Sequence, residues 1–294
     1  MNIRIFISLI LLTLSTVVAK AQTSVLQDAV LYYEKGELDK AKSNIDIAIK
    51  NKKLKKDPTA WYLRGFIYKD IYKKNPAADS LSETRDTSVN AFLKLLTFDN
   101  TEKYQKDCQS NFKFLASTYY NDAIRTLEKG EFKQSLKFYN SFENTLFHAK
   151  DTSINLKQYE INYYLSKGSK YSELYKNNDK KDNLNKAIKA YDYVIAKDAK
   201  NVKANYNLGV IYYNEAVAII NNVDYSDEID LVAFAQLEDK SIDLFKQSLP
   251  YMELAYEQNP KNRDTLQGLA GIHFGLRDME KSNEFKEKLA ALEK

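Results

Sequence analysis

The chain has 294 residues, a formal net charge of +4, 13% aromatic residues and one cysteine. That charge balance gives no electrostatic case for nucleic acid, and a single cysteine cannot close an internal disulfide, so the fold must hold without staples. Only 8 Gly and 4 Pro interrupt the chain, a low breaker count that favours long helices over strands.

The first residues, Met1 to Arg4, are followed by an apolar run from Ile5 to Ala19 and then by Ala19-Lys20-Ala21. A basic start, an apolar centre and small residues at both cleavage positions predict a signal peptide over residues 1–21. No cysteine follows it, so a lipid anchor is not expected. The mature protein is expected to be exported, periplasmic or secreted, with no membrane span. Two of the positive charges, Arg4 and Lys20, would leave with the signal.

A first helix is predicted from Leu26, Ala29, Val30 and Tyr33. Gly36 ends it, because Gly tolerates the left-handed conformation. A second helix follows, with Leu38, Ala41, Ile45, Ala48 and Ile49 on one face. The tract Lys50 to Lys56 suits a helix C-terminus and reads as a solvated face. Asp57-Pro58 then starts a helix, with Asp as cap and Pro in the first turn. That helix carries Trp61, Gly65 and Tyr68. A polar connection to Asp86 leads to a helix with Ser88, Phe92, Leu95 and Leu96. Leu115-Ala116 and Tyr119-Tyr120 mark the next long helix, ended by Gly130, and Phe132 to Phe142 its partner. Tyr164, Gly168 and Tyr171 repeat the step, followed by Leu184 to Ile195. Asn205 to Tyr213 repeats it again, through Leu208-Gly209 and Tyr212. An insertion is expected from about Val217 to Leu244, then a helix with Phe245, Ser248, Met252 and Ala255. Pro250 should kink that helix or mark its first turn. Leu269-Ala270 with His273, then Met279 to Phe285, close the series. Gly268, Gly271 and Gly275 suggest close packing.

The Trp61-x2-Arg64-Gly65-x2-Tyr68 and Leu208-Gly209-x2-Tyr212 stretches resemble the tetratricopeptide signature W-x2-L-G-x2-Y. The small residue lets two helices approach and the Tyr fills the space beside it. The resemblance implies an all-α tetratricopeptide-type solenoid of about six antiparallel helix pairs with insertions. The units run approximately over 24–56, 57–100, 108–150, 154–200, 202–260 and 262–294. The small residues are spaced more widely than the ~34-residue standard repeat, so the array is decorated.

Catalytic chemistry finds little support. His148 and His273 lie on helices in different repeats, and His273 stands where the signature Tyr would. Cys108 has no His near it in sequence and reads as a buried thiol. No Gly-rich phosphate loop exists. The run Asp224 to Asp230 has oxygen side chains at alternate positions but lacks the Gly and final Glu of a calcium loop. Asp86-Thr87-Ser88 and Asp151-Thr152-Ser153 are expected to be helix caps. No metal, no cofactor and no enzymatic activity are expected.

In tetratricopeptide proteins one stripe of each first helix lines a groove that holds partner peptides. By resemblance that stripe comprises Tyr62, Phe66, Lys69, Lys113, Ser117, Tyr120, Asn121, Tyr206, Val210, Tyr213, Asn214 and Phe274. Leu26 and Val30 stand on the first helix, where the family's carboxylate-clamp members use polar residues. The implied function is a non-catalytic scaffold of the cell envelope that binds a protein or peptide. The alternative is a glycan or small-ligand binder that stacks sugars on the aromatic stripe.

Overall fold

The computed structural model describes residues 25–79, 81–151, 153–222 and 231–292. The expected signal peptide and the oxygen-rich run 224–230 lie outside these residues. Twelve α-helices and no strand are present among the described residues. They are α1 (25–34), α2 (Leu38–Ala48), α3 (Pro58–Lys74), α4 (Glu83–Leu95), α5 (Glu102–Glu128) and α6 (Phe132–Ala149). Then follow α7 (Leu156–Asn178), α8 (Lys181–Lys197), α9 (Val202–Asn221), α10 (Leu231–Gln258), α11 (Arg263–Gly275) and α12 (Met279–Ala291). Consecutive helices pair as antiparallel hairpins, α3 with α4, α7 with α8, α9 with α10 and α11 with α12. Compact contacts divide the chain into two units, one built on α1 to α6 as far as Ser153, the other on 126–132 and the helices from α7 onward.

Local chemistry sets the helix ends. Asp57 accepts a hydrogen bond from the Thr59 N–H, and Pro58 opens α3. Asn155, Asn201 and Asn262 cap α7, α9 and α11 in the same way, and Asp278 caps α12. Each side-chain oxygen satisfies an N–H that the helix itself leaves unpaired. Gly36 (φ 74°) ends α1. There the Glu37 N–H reaches the Tyr32 carbonyl at 2.8 Å and the Gly36 N–H the Tyr33 carbonyl at 2.9 Å, a Schellman turn. Gly130 (φ 79°) ends α5 through the same pair of bonds.

In the first unit Gly65 of α3 lies against α4. A Cβ there would stand 2.5 Å from the Phe92 ring. The Ser88 hydroxyl of α4 donates to the Gly65 carbonyl at 2.7 Å. This serine-to-carbonyl bond recurs from Ser135 to Ala123, Ser248 to Gly209 and Ser282 to Ala270. A buried hydroxyl thereby finds a partner while the two backbones stay close. The recurrence corrects the register of the third pair. Ala123, not Ala116, is the small residue that meets the second helix, because the last turns of the long α5 are the ones that meet α6. Ala116 is buried all the same, and α5 starts earlier than the expected 108.

Other expectations change in the same way. Asp86-Thr87-Ser88 is no cap but lies inside α4, whose start is held from outside by Asp79 accepting the Thr84 N–H at 2.7 Å. Asp151 accepts the Ser153 N–H at 2.9 Å, but the cap of α7 is Asn155. Much of the expected insertion is helix. α9 continues to Asn221 and α10 begins at Leu231. Pro250 therefore sits deep inside α10, far from its first turn.

In the second unit the Gly209 contact is with Met252, whose Cγ would lie 2.7 Å from an added Cβ. The three glycines of α11 gain a physical reason. Gly271 faces the Tyr213 ring and hydroxyl and Gly275 the Phe245 ring, each too close to admit a side chain, while Gly268 faces the end of the flexible Met252, which would have to shift. α11 thus presents one bare face to α9 and α10.

Candidate functional site

In the first unit the stripe residues Tyr62, Phe66 and Lys69 lie one turn apart on α3. The Tyr62 hydroxyl donates to Asp107 of α5 at 2.7 Å. Its ring lies 4.7 Å from Tyr104 and 4.8 Å from Phe66. Burial, and then the Asp107 carboxylate, push the Tyr62 phenol up to about 12. Phe66 sits edge-on to the buried Phe92 at 5.5 Å. The Lys69 ammonium lies 4.1 Å above the Phe66 ring and 3.5 Å from Asp70. Desolvation holds its pKa below the ordinary lysine value. Asp70 in turn accepts the Tyr33 hydroxyl of α1 at 2.6 Å. One face of α1, α3 and α5 is therefore a connected aromatic and charged surface. Asp70, Tyr104 and Asp107 belong to it and were not foreseen. Asp70 stands four residues after Phe66, and that spacing was the available signal; Tyr104 and Asp107 have no such spacing to a stripe residue and join the surface only through the approach of α5 to α3.

The α5 members of the stripe separate. Lys113 is exposed and pairs with Asp151 at 2.7 Å, and the Asp151 carboxyl is pulled down to about 2 by Lys113 and then by Ser153. Ser117 is exposed, but its hydroxyl is spent on the Phe114 carbonyl of its own helix at 2.7 Å. Tyr120 packs 5.1 Å from Phe142 of α6, so it faces inward. Asn121 is exposed.

In the second unit Tyr206, Val210 and Tyr213 are half-buried and pack against the core of Phe245, Met252, Leu266 and Ala270. They are not a free stripe. Burial, and then Asp264, raise the Tyr206 phenol. Tyr213 lies 5.8 Å from Phe245 and meets Phe274 at a hollow of about 530 Å³ shared with Val217, Gly271 and Lys286. Phe274 is 57% exposed, and the Lys286 ammonium lies 5.6 Å from its ring. Val210 and Asn214 line a separate hollow of about 330 Å³ with Tyr175 and Glu215. Glu215 accepts the Tyr175 hydroxyl at 2.6 Å and pairs with Lys181.

The groups weighed for catalysis are occupied by packing. Cys108 is fully buried, which pushes its thiol up to about 12. His273 is buried and stacks on Phe285 at 5.6 Å, and burial lowers its pKa, which favours the neutral ring. His148 lies among Phe112 and Phe147. Among the described residues no three His, Cys, Asp or Glu converge on a metal-sized site. No described helix is long and apolar enough to cross a membrane.

The structure resembles solved helical-repeat proteins over most of its length. A TPR repeats protein from Bacteroides fragilis shares 14% identity over 92% of this chain and 97% of that chain, with a TM-score of 0.47. PilF from Pseudomonas aeruginosa shares 10% over 93% and 92%, with a TM-score of 0.33. The TPR2AB domain of yeast Sti1, solved as a complex with pHSP90, shares 15% over 94% and 100%, with a TM-score of 0.26. No family model and no curated protein matches the chain.

Proposed function

We propose that this chain is a non-catalytic scaffold that binds a partner protein or peptide in the cell envelope. The observation that carries the reading is the hollow of about 530 Å³ floored by Tyr213 and Phe245, with Phe274 standing exposed at its edge. A large aromatic left in water beside an apolar cavity is the arrangement that takes an apolar anchor from a partner. Lys286 and Gln267 at the edge would supply polar contacts. Tyr62, Phe66 and Lys69 form a second surface on α3, and the exposed Lys113, Ser117 and Asn121 extend the proposal to α5, with Tyr120 turned inward against Phe142. On α9, Val210 and Asn214 offer the separate hollow of about 330 Å³ as a further contact, while Tyr206 packs against the core behind the stripe. The glycan alternative draws less support on α3, because the Tyr62 ring is tilted against both Phe66 at 4.8 Å and Tyr104 at 4.7 Å, so the three rings form no flat platform for a sugar.

Affinity capture from an envelope extract, read by mass spectrometry, tests the reading. Phe274→Ala should weaken capture of the recovered partner more than tenfold, since central aromatic anchors typically cost ~2 kcal/mol or more. Its exposure predicts an unchanged melting curve. Capture at parental strength would place recognition elsewhere. The export part rests on the basic, apolar and A-x-A pattern of residues 1–21. N-terminal sequencing of the mature protein should begin at Gln22, and intact Met1 in the membrane fraction would refute it.

A further inference from the structure

A second hollow, of about 290 Å³, lies in the first unit between α4 and α6, with Tyr119 of α5 at its back. Asp86 and Asn90 reach it from α4, and Ser141, Asn144 and His148 from α6. No lysine or arginine lines it. The Tyr119 hydroxyl donates to Asp86 Oδ1 at 2.5 Å. Among the described residues nothing donates to Asp86 Oδ2, and the side chains of Asn90, Ser141 and Asn144 make no hydrogen bond.

The charges behind the hollow are already matched. Arg85 is fully buried and pairs with Asp79 at 2.9 Å and Asp122 at 2.8 Å. Arg125 adds a further contact to Asp122 at 2.9 Å. Two guanidinium groups thus face two carboxylates, and Asp86 is the odd charge. Besides Asp86, the hollow is lined by the Asn90 and Asn144 amides, the Ser141 and Thr145 hydroxyls, the Tyr119 phenol, His148, Val89 and Leu93. A half-buried carboxylate with one oxygen unspent, among these amides and hydroxyls, is complementary to a cation that carries several N–H donors, and Val89 and Leu93 give its alkyl stem an apolar wall.

We propose that this hollow binds a primary ammonium group. The ammonium has three donors and no acceptor. One donor meets Asp86 Oδ2, and the others meet the Asn90 and Asn144 carbonyl oxygens or the Ser141 hydroxyl. An anion would be repelled by Asp86, and a neutral hydroxyl would leave its charge uncompensated. The volume accommodates the ammonium and a short alkyl stem. This site is independent of the apolar hollow by Phe274 and stands or falls separately.

The test is a nuclear magnetic resonance titration of the full chain, following the side-chain amide signals of Asn90 and Asn144. Two probes carry the ammonium: Nα-acetyl-lysine methylamide, which represents a lysine side chain, and spermidine, which represents a free polyamine. The Nε-acetylated lysine derivative is the neutral control. Saturable shifts with both amines and none with the control are expected, and the tighter amine identifies the source. Asp86→Asn keeps an acceptor for Tyr119 and should weaken binding at least tenfold. Asn144→Leu, at an exposed position, supplies a second variant with the same expected direction should Asp86→Asn fail to fold. Absence of saturable shifts, equal shifts with the neutral control, or unaltered binding in a folded variant would overturn the assignment.

Discussion

Replacing Arg85 by Met is the sharpest test of the first unit. Arg85 is completely buried, its guanidinium paired with Asp79 and Asp122 and lying 4.8 Å from the Tyr72 ring centre, 4.6 Å from Tyr119 and 5.3 Å from Phe138. Methionine fills much of the volume but leaves Asp79, itself 5% exposed, as a buried charge without its cation. Two N–H bonds to Asp79, from Thr84 at 2.7 Å and residue 85 at 3.3 Å, would remain. Breaking one side of a buried pair costs ~3–5 kcal/mol. With a urea slope of ~2 kcal/mol per molar, the midpoint should fall by ~2 M. The single Trp, Trp61 of α3, reports this unit by fluorescence, so its transition can be followed without assuming that both units unfold together. Asp79→Asn in the Arg85→Met background should recover part of the loss, because it removes the orphaned charge. An Arg85→Met midpoint within ~0.5 M of the parent, equivalent to ~1 kcal/mol, would refute the buried cluster.

Gly209→Leu should destabilise the second unit by about 1–3 kcal/mol, since the added side chain must displace Met252 from a packed contact; thermal melting by circular dichroism reads it, and an unchanged melting temperature would mean the α9–α10 contact is elsewhere. The Asp151 carboxyl should titrate at about 2, below the ordinary ~3.9, and move back up in Lys113→Ala. Because the folded value is the lower one, the contribution of this contact is complete above the unfolded pKa and lost as pH falls towards 2. Carboxyl-carbon nuclear magnetic resonance measures both midpoints, and equal values in parent and variant would show that the Lys113 contact does not form in solution.

Helix boundaries were legible wherever one or two residues decide them. Asp57-Pro58, Gly36 and Gly130 act through their own backbone chemistry, and the caps and turns fall where that chemistry predicts. The hairpin contact of Gly65 and Gly209 was legible because a repeated spacing reports it. The extent of α10 was not. The run from Leu231 to Leu244 lacks the signature residues, yet it is helical where Ser241 reaches the Ala216 carbonyl at 3.2 Å on α9.

The candidate stripe divides along the same line. Helical spacing correctly groups Tyr62 with Phe66, and Tyr206 with Val210 and Tyr213, but spacing carries no information on what faces each group. Tyr213 is covered because three glycines strip one face of α11 and let it approach, while Phe274, on the same α11, remains in water. Arg85 falls within the expected polar connection to Asp86, yet it is among the largest fully buried side chains of the described residues, because Asp79, Asp122 and the rings of Tyr72, Tyr119 and Phe138 surround it. Sequence alone determined most of the helices and the ends that a cap or a glycine decides, since those depend on neighbours along the chain; the extent of α10 and the register of the α5–α6 contact were left to packing. Tertiary structure decided which side chains are buried, paired or open, since those depend on neighbours that only packing brings together.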